Sequence, residues 1–148
     1  MALFRIERRT PLSADEAWRR LTVWEHHAAQ VPLTRITVTT PPPTATGTVL
    51  VARTGIGRVG FADPMEVVAW DPPVAGGAGH CRLEKRGGVV LGWAEIGVRP
   101  APGGALVVWT EDLRLRGLPR AFDKVIERAG RLVFGRAVTG LLGSPPGR

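Results

Sequence analysis

The sequence predicts an α+β fold in which a seven-stranded antiparallel meander is covered by one long C-terminal helix. Three patterns predict it. Most of the chain alternates apolar and polar residues at period two, in short runs punctuated by Gly and Pro. After Leu118 the period changes to 3.6 and stays there to Leu142. Between the first run and the others stands Ser13-Ala14-Asp15-Glu16, a capping box that opens a short helix.

Each element follows from its residues. Phe4, Ile6 and Arg8 alternate with Arg5, Glu7 and Arg9 in a first strand that Pro11 ends. The capped helix carries Ala17, Trp18 and Leu21 on one face. A second helical piece, Trp24 to Gln30, stops before Val31-Pro32, because the residue preceding proline disfavours helix. Strands are expected at 35–40, 48–54, 65–70, 79–86, 89–99 and 105–115. Gly87-Gly88 reads as a two-residue hairpin turn. From 118 to 142 a helix of about 36 Å is expected, at about 1.5 Å per residue. Its stripe is Phe122, Ile126, Ala129, Val133 and Ala137, with Val125 and Leu132 beside it. Such a helix must lay that stripe across the sheet. Residues 1–143 are expected to form one domain, and residues 144–148, which contain Pro145-Pro146, a flexible tail.

Composition narrows the function classes. The chain has 148 residues and 44% are hydrophobic, enough for one packed core without staples. No run of 18 apolar residues exists, so no stable membrane insertion is expected. MALFRIERRT lacks the apolar stretch of a signal peptide. The single cysteine, Cys81, has no internal disulfide partner. A cytoplasmic location is expected from these features. The net charge is +7, but the basic residues are scattered and nearly all are arginine. Asn and Tyr are absent while Ala, Gly, Pro and Arg abound, a bias of GC-rich coding rather than of function. No basic stripe interleaved with aromatics appears, so no nucleic-acid partner is expected.

Three stretches carry a likeness to known proteins. They are Ala14-Asp15-Glu16-Ala17-Trp18 at the first helix, Val67-Val68-Ala69-Trp70-Asp71-Pro72-Pro73 at a strand end, and Val107-Val108-Trp109-Thr110-Glu111 in the last strand. In this order, between one N-terminal strand and one C-terminal helix, they resemble the START-related helix-grip superfamily. That group includes lipid-transfer domains, pollen-allergen-like proteins and aromatic polyketide cyclases. The resemblance covers nearly the whole chain. It implies a curved sheet gripping the C-terminal helix, with a cavity for hydrophobic ligands between them; only some members catalyse a reaction.

Alternation then assigns the lining. If Gly87-Gly88 pairs Arg86 with Val89, Leu83 opposes Gly92 and Cys81 opposes Ala94. One face carries Cys81, Leu83, Gly92, Ala94, Ile96 and Val98, and continues into Val107, Trp109, Glu111 and Leu113. Gly92 and Ala94 are small and are expected beside Trp109, leaving volume for a ligand. Glu111 is then a carboxylate aimed into apolar surroundings, where it needs a donor, a proton or a ligand. Arg136 and Arg58 are the candidate partners, although reach along the strand places Glu111 nearer Ile126 or Ala129. Met65, Trp24 and His27, with Ile126, Ala129 and Val133 of the helix, complete the expected wall.

Other motifs read more simply. Gly55-Ile56-Gly57-Arg58-Val59-Gly60 matches a dinucleotide fingerprint, but a strand rather than a helix follows it, so it reads as a glycine-rich rim loop. The resemblance places such a loop at the cavity entrance, with Arg58 and Phe61 as gate residues. His26, His27 and His80 form no ligand spacing with Cys81 or Glu25, so neither metal nor cofactor is expected. Cys81 reads as an inert buried thiol. Trp18 is expected to pack the first helix. Trp70 and Trp93 are expected on the outer face, as a patch that a homodimer would cover.

Three functions follow. The first is a carrier of a small hydrophobic molecule, lipid-like or polyketide-like. The second is a polyketide cyclase or dehydratase using Glu111 as acid/base with an arginine or histidine. The third is a ligand-free interaction module built on Trp70 and Trp93.

Overall fold

A computed structural model describes residues 2–143; the tail expected at 144–148 lies outside them. Strand β1 (Ala2–Thr10) leads to helix α1 (Ala14–Thr22) and a 3-10 segment (Trp24–Ala29). Six strands follow: β2 (Thr34–Val38), β3 (Val49–Ile56), β4 (Val59–Asp71), β5 (Gly79–Lys85), β6 (Val90–Ala101) and β7 (Gly104–Leu115). A 3-10 turn (Arg120–Phe122) then enters helix α2 (Asp123–Leu142). The seven strands form one antiparallel sheet in the order β1-β7-β6-β5-β4-β3-β2. Strands β2 to β7 are thus a meander, and β1 returns to the far edge beside β7.

The caps behave as their residues dictate. Ser13 Oγ accepts from the Glu16 N–H at 3.2 Å. The Glu16 carboxylate does not complete the box; it takes Arg19 and Arg20 instead, at 2.7 and 2.9 Å. Those hydrogen bonds, Arg19 first, hold its pKa down at about 2.

Helix α2 is seated from Gly130 onward. Its buried residues are Gly130, Gly135, Ala137, Val138, Leu141 and Leu142. A Cβ at Gly130 would lie 2.6 Å from the Phe4 ring, so only glycine lets the helix approach β1 this closely. Phe134 stacks on Phe4 at 5.8 Å, and Arg8 Nε donates to Thr139 Oγ1 at 3.2 Å. The stripe expected from periodicity is therefore displaced. Only Ala137 of it is buried, and Phe122 is 46% exposed. Ile126, Ala129 and Val133 overhang a space instead of packing into the sheet.

Two corrections concern β5, β6 and β4. The Gly87-Gly88 turn is wider than two residues: Leu83 pairs with Ala94 and Cys81 with Ile96. The neighbouring strands claim the turn's backbone, since Arg86 N–H donates to Pro64 O and Val89 O accepts from Arg116 N–H. The slip is by two residues, so each side chain keeps its face. In β4 a bulge between Val67 and Ala69 inserts one residue. That odd step turns Trp70 inward, where it meets Trp18 at 5.1 Å and Trp24 at 6.3 Å. The outer Trp70/Trp93 patch is thus absent, and with it the basis for the expected homodimer. Trp93 stays outside under the Arg82 guanidinium, 4.4 Å from its ring centroid.

The glycine-rich stretch is also more ordered than a rim loop. Gly55 pairs with Gly60 and Ile56 with Val59 across a tight β3–β4 hairpin. A Cβ on Gly55 would run into the Val59 carbonyl, and one on Gly60 into that of Thr54. Strand geometry, not phosphate binding, accounts for these two glycines.

Candidate functional site

Under the N-terminal half of α2 the sheet leaves a cavity of about 360 Å³. The size suits a small organic ligand. No residue of α2 before Gly130 is buried, because the helix there bridges the opening instead of resting on side chains. Its roof is Ile126, Ala129, Gly130, Val133 and Phe134. Strands β2 to β4 supply Ile36, Leu50, Ala52, Phe61, Asp63 and Met65. Strands β5 to β7 supply Leu83, Lys85, Ala94, Ile96, Trp109 and Glu111. Trp24 and His27 close one side.

Cross-strand rows explain the geometry. Glu111 pairs with Ala94 on one side and Phe4 on the other; Trp109 pairs with Ile96 and Ile6. With Val98 opposite Val107, the small Ala94 stands directly opposite the carboxylate, and Ile96 stands opposite Trp109. Gly92 lies opposite Leu113. Trp109 is held between Phe134 at 5.6 Å and the His27 ring at 5.7 Å. Trp24 Nε1 donates to Thr44 Oγ1 at 3.2 Å.

The polar part of the wall is concentrated. Lys85 Nζ donates to Asp63 Oδ2 at 2.7 Å, with the lysine side chain 4% exposed. Glu111 is 2% exposed. Burial pushes its carboxyl up to about 7; Lys85 opposes this, while Asp63 and Asp112 add to it. The Trp109 indole N–H favours the charged carboxylate, but without hydrogen-bond geometry. Glu111 Oε2, Asp63 Oδ1 and Trp109 Nε1 are buried without a partner. Beside them, His27 Nε2 is 2.6 Å from the Leu21 carbonyl, which fixes the proton on Nε2 and leaves Nδ1 as acceptor. Burial holds its pKa below the usual imidazole value.

Most of the sequence-predicted wall is brought together here, with two exceptions. Cys81 is fully buried behind the wall, against Trp70 and Ile96 in the sheet, and burial pushes its thiol up to about 12. Arg58 sits at the β3–β4 hairpin tip in an outer groove with Arg35 and Arg53. It is not Glu111's partner, and Arg136 is exposed and does not line the cavity. The basic group near Glu111 is Lys85, which sequence reasoning missed. The signal was present: Lys85 continues the Cys81, Leu83 alternation by one step, and Asp63 continues Phe61 and Met65.

The protein thus combines a seven-stranded antiparallel sheet, two short helical segments after β1 and a long C-terminal helix over a cavity. Similar arrangements occur in solved structures. A START superfamily protein from Mycobacterium smegmatis matches at a TM-score of 0.69, covering 95% of this chain and 96% of that one at 12% identity. The chain has the helix-grip fold. The Zhui aromatase/cyclase from Streptomyces sp. R1128 shares this fold at a TM-score of 0.63 and 14% identity, covering 93% and 92% of the two chains. So does a norcoclaurine synthase from Thalictrum, at 0.62 and 13%, covering 95% and 92%. No protein-family model matches the chain, and no curated protein matches its sequence significantly. Among the described residues no helix of this helix-grip chain is long and apolar enough to cross a membrane.

Proposed function

We propose that this helix-grip chain binds a small hydrophobic or amphipathic molecule, lipid-like or polyketide-like, in the cavity beneath the first half of α2. The observation that carries the reading is the cavity itself: mostly apolar, roofed in part by Ile126, Ala129 and Val133, none of them buried, with Glu111, Asp63 and Lys85 as its charged lining residues and further polar groups at His27, Thr34, Thr54 and the indoles. An apolar body would displace poorly bonded water, and a polar end would meet the buried carboxylate. Proteins of this fold include a START superfamily protein and an aromatase/cyclase, which supports a ligand in the same hollow.

Filling the hollow tests this. Ala129 lines the roof without being packed, so Ala129→Trp places an indole in the space at little cost to the core. The variant should keep the thermal midpoint within a few degrees and bind 2-methylnaphthalene at least tenfold more weakly in equilibrium dialysis. Equal binding by wild type and variant would reject the cavity as the site.

A second reading has its own observation. A carboxyl held near 7 in a dry wall, beside an indole N–H and an ammonium, is poised to exchange protons at neutral pH. That is what a cyclase or dehydratase acting on a polyketone requires of its acid/base, and Glu111 would be that group.

A further inference from the structure

The unpaired polar atoms of the wall define more than a generic polar end. Glu111 Oε2, Asp63 Oδ1 and Trp109 Nε1 each lack a partner, and all three residues line the one cavity. Two of the three atoms are carboxylate oxygens, which accept; one is an N–H, which donates. The nearby cation does not reverse this balance: the Lys85 ammonium gives one N–H to Asp63 Oδ2 at 2.7 Å and another to Met65 Sδ at 3.6 Å, and its single charge faces two acidic side chains. An ionised carboxylate on a ligand would meet one ammonium, whose charge Asp63 already matches, and a second acidic side chain, Glu111. A hydroxyl meets no such repulsion, and it can give its proton to the Glu111 carboxylate. The surrounding rings, Trp24, Phe134 and Phe61, with Trp109 itself, offer flat apolar contact to a planar body.

From this placement we infer that the site selects a neutral ligand carrying a phenolic or enolic hydroxyl at its buried end, and discriminates against ligands headed by a carboxylate such as free fatty acids. The inference rests on the cavity being the binding site, and the test separates the two. Equilibrium dialysis at about pH 8 compares 2-naphthol, 2-naphthoate and 2-methylnaphthalene, which share one apolar body. The naphthol should bind at least tenfold more tightly than the naphthoate and severalfold more tightly than the methyl compound. In Glu111→Leu the naphthol should fall to the affinity of the methyl compound, and in Glu111→Gln the penalty against naphthoate should shrink at least fivefold. Naphthoate binding as tightly as naphthol in the wild type overturns the inference and leaves the cavity reading standing. Binding of none of the three overturns the cavity reading, and the inference falls with it.

Discussion

At about pH 8, Glu111→Gln is expected to be more stable than the wild-type chain by about 3 kcal/mol, one of the rare single substitutions to gain stability by that much. The reason is proton linkage. The unfolded carboxyl releases its proton near 4.5, whereas in the fold burial delays release to about 7. Between those values the native state holds a proton that the unfolded chain has lost, so stability falls as pH rises through the window. Above 7 the full cost of a buried charge is present; below about 4.5 it is gone. Glutamine has the same shape and never ionises, so it escapes the cost. The groups facing Glu111 are Lys85 from β5, Asp63 from β4 and its neighbour Asp112; α2 presents only apolar residues there. His27 acts in the opposite direction. It is neutral in the fold, and the unfolded chain takes up a proton below about 6.5, so its contribution is lost on acidification. The two limbs partly cancel between about pH 4.5 and 6.5 in the wild type. In the variant only the His27 limb remains, so its stability should decline where the parent's is nearly level. Urea unfolding at a series of pH values reads both effects. A variant less stable at pH 8, or one with the parent's pH slope, would show that Glu111 is not an uncompensated buried charge.

Lys85→Met carries the largest expected loss. Lys85 and Asp63 form a bridge whose side chains are 4% and 12% exposed, so this is not a solvated surface pair. Taking the ammonium away strands Asp63, whose Oδ1 already lacks a partner, next to Glu111. Breaking such a pair from one side costs about 3–5 kcal/mol. Removing both charges should recover most of it, because a well-packed apolar pair has no charge to desolvate. The double variant Lys85→Met/Asp63→Leu should therefore lie within about 1–2 kcal/mol of the wild type in the same urea series. A single variant that loses less than about 1 kcal/mol would mean the bridge is wetter than its burial implies. Losing Lys85 also removes the one influence that lowers Glu111 through charge attraction, so the acid limb should move to higher pH in the single variant.

The candidate site was legible to the extent that period two governs it. Trp109, Glu111, Ala94 and Ile96 point inward because parity along a strand survives an even slip, and the β5–β6 turn slipped by two. Lys85 and Asp63 obey the same rule and needed only one further step of counting. Trp70 defeated it, because the bulge after Val67 adds one residue and an odd step exchanges the faces. Helix α2 defeated the 3.6 period for another reason. Apolar residues occur almost all round it, with Val125 63% and Leu132 56% exposed, so several stripes compete on paper. The choice among them was made by Gly130 meeting Phe4 on β1.

The amino-acid order alone thus determined the elements, their sequence along the chain, and which face of β5 to β7 is apolar, because each of these depends on neighbours within a few residues. Tertiary structure alone decided that β1 pairs with β7, that α2 rests on β1 from Gly130 onward, and that a hollow remains under its first half. Those outcomes depend on which distant surfaces can approach most closely, and a strand carries no local mark of the partner it will meet a hundred residues later.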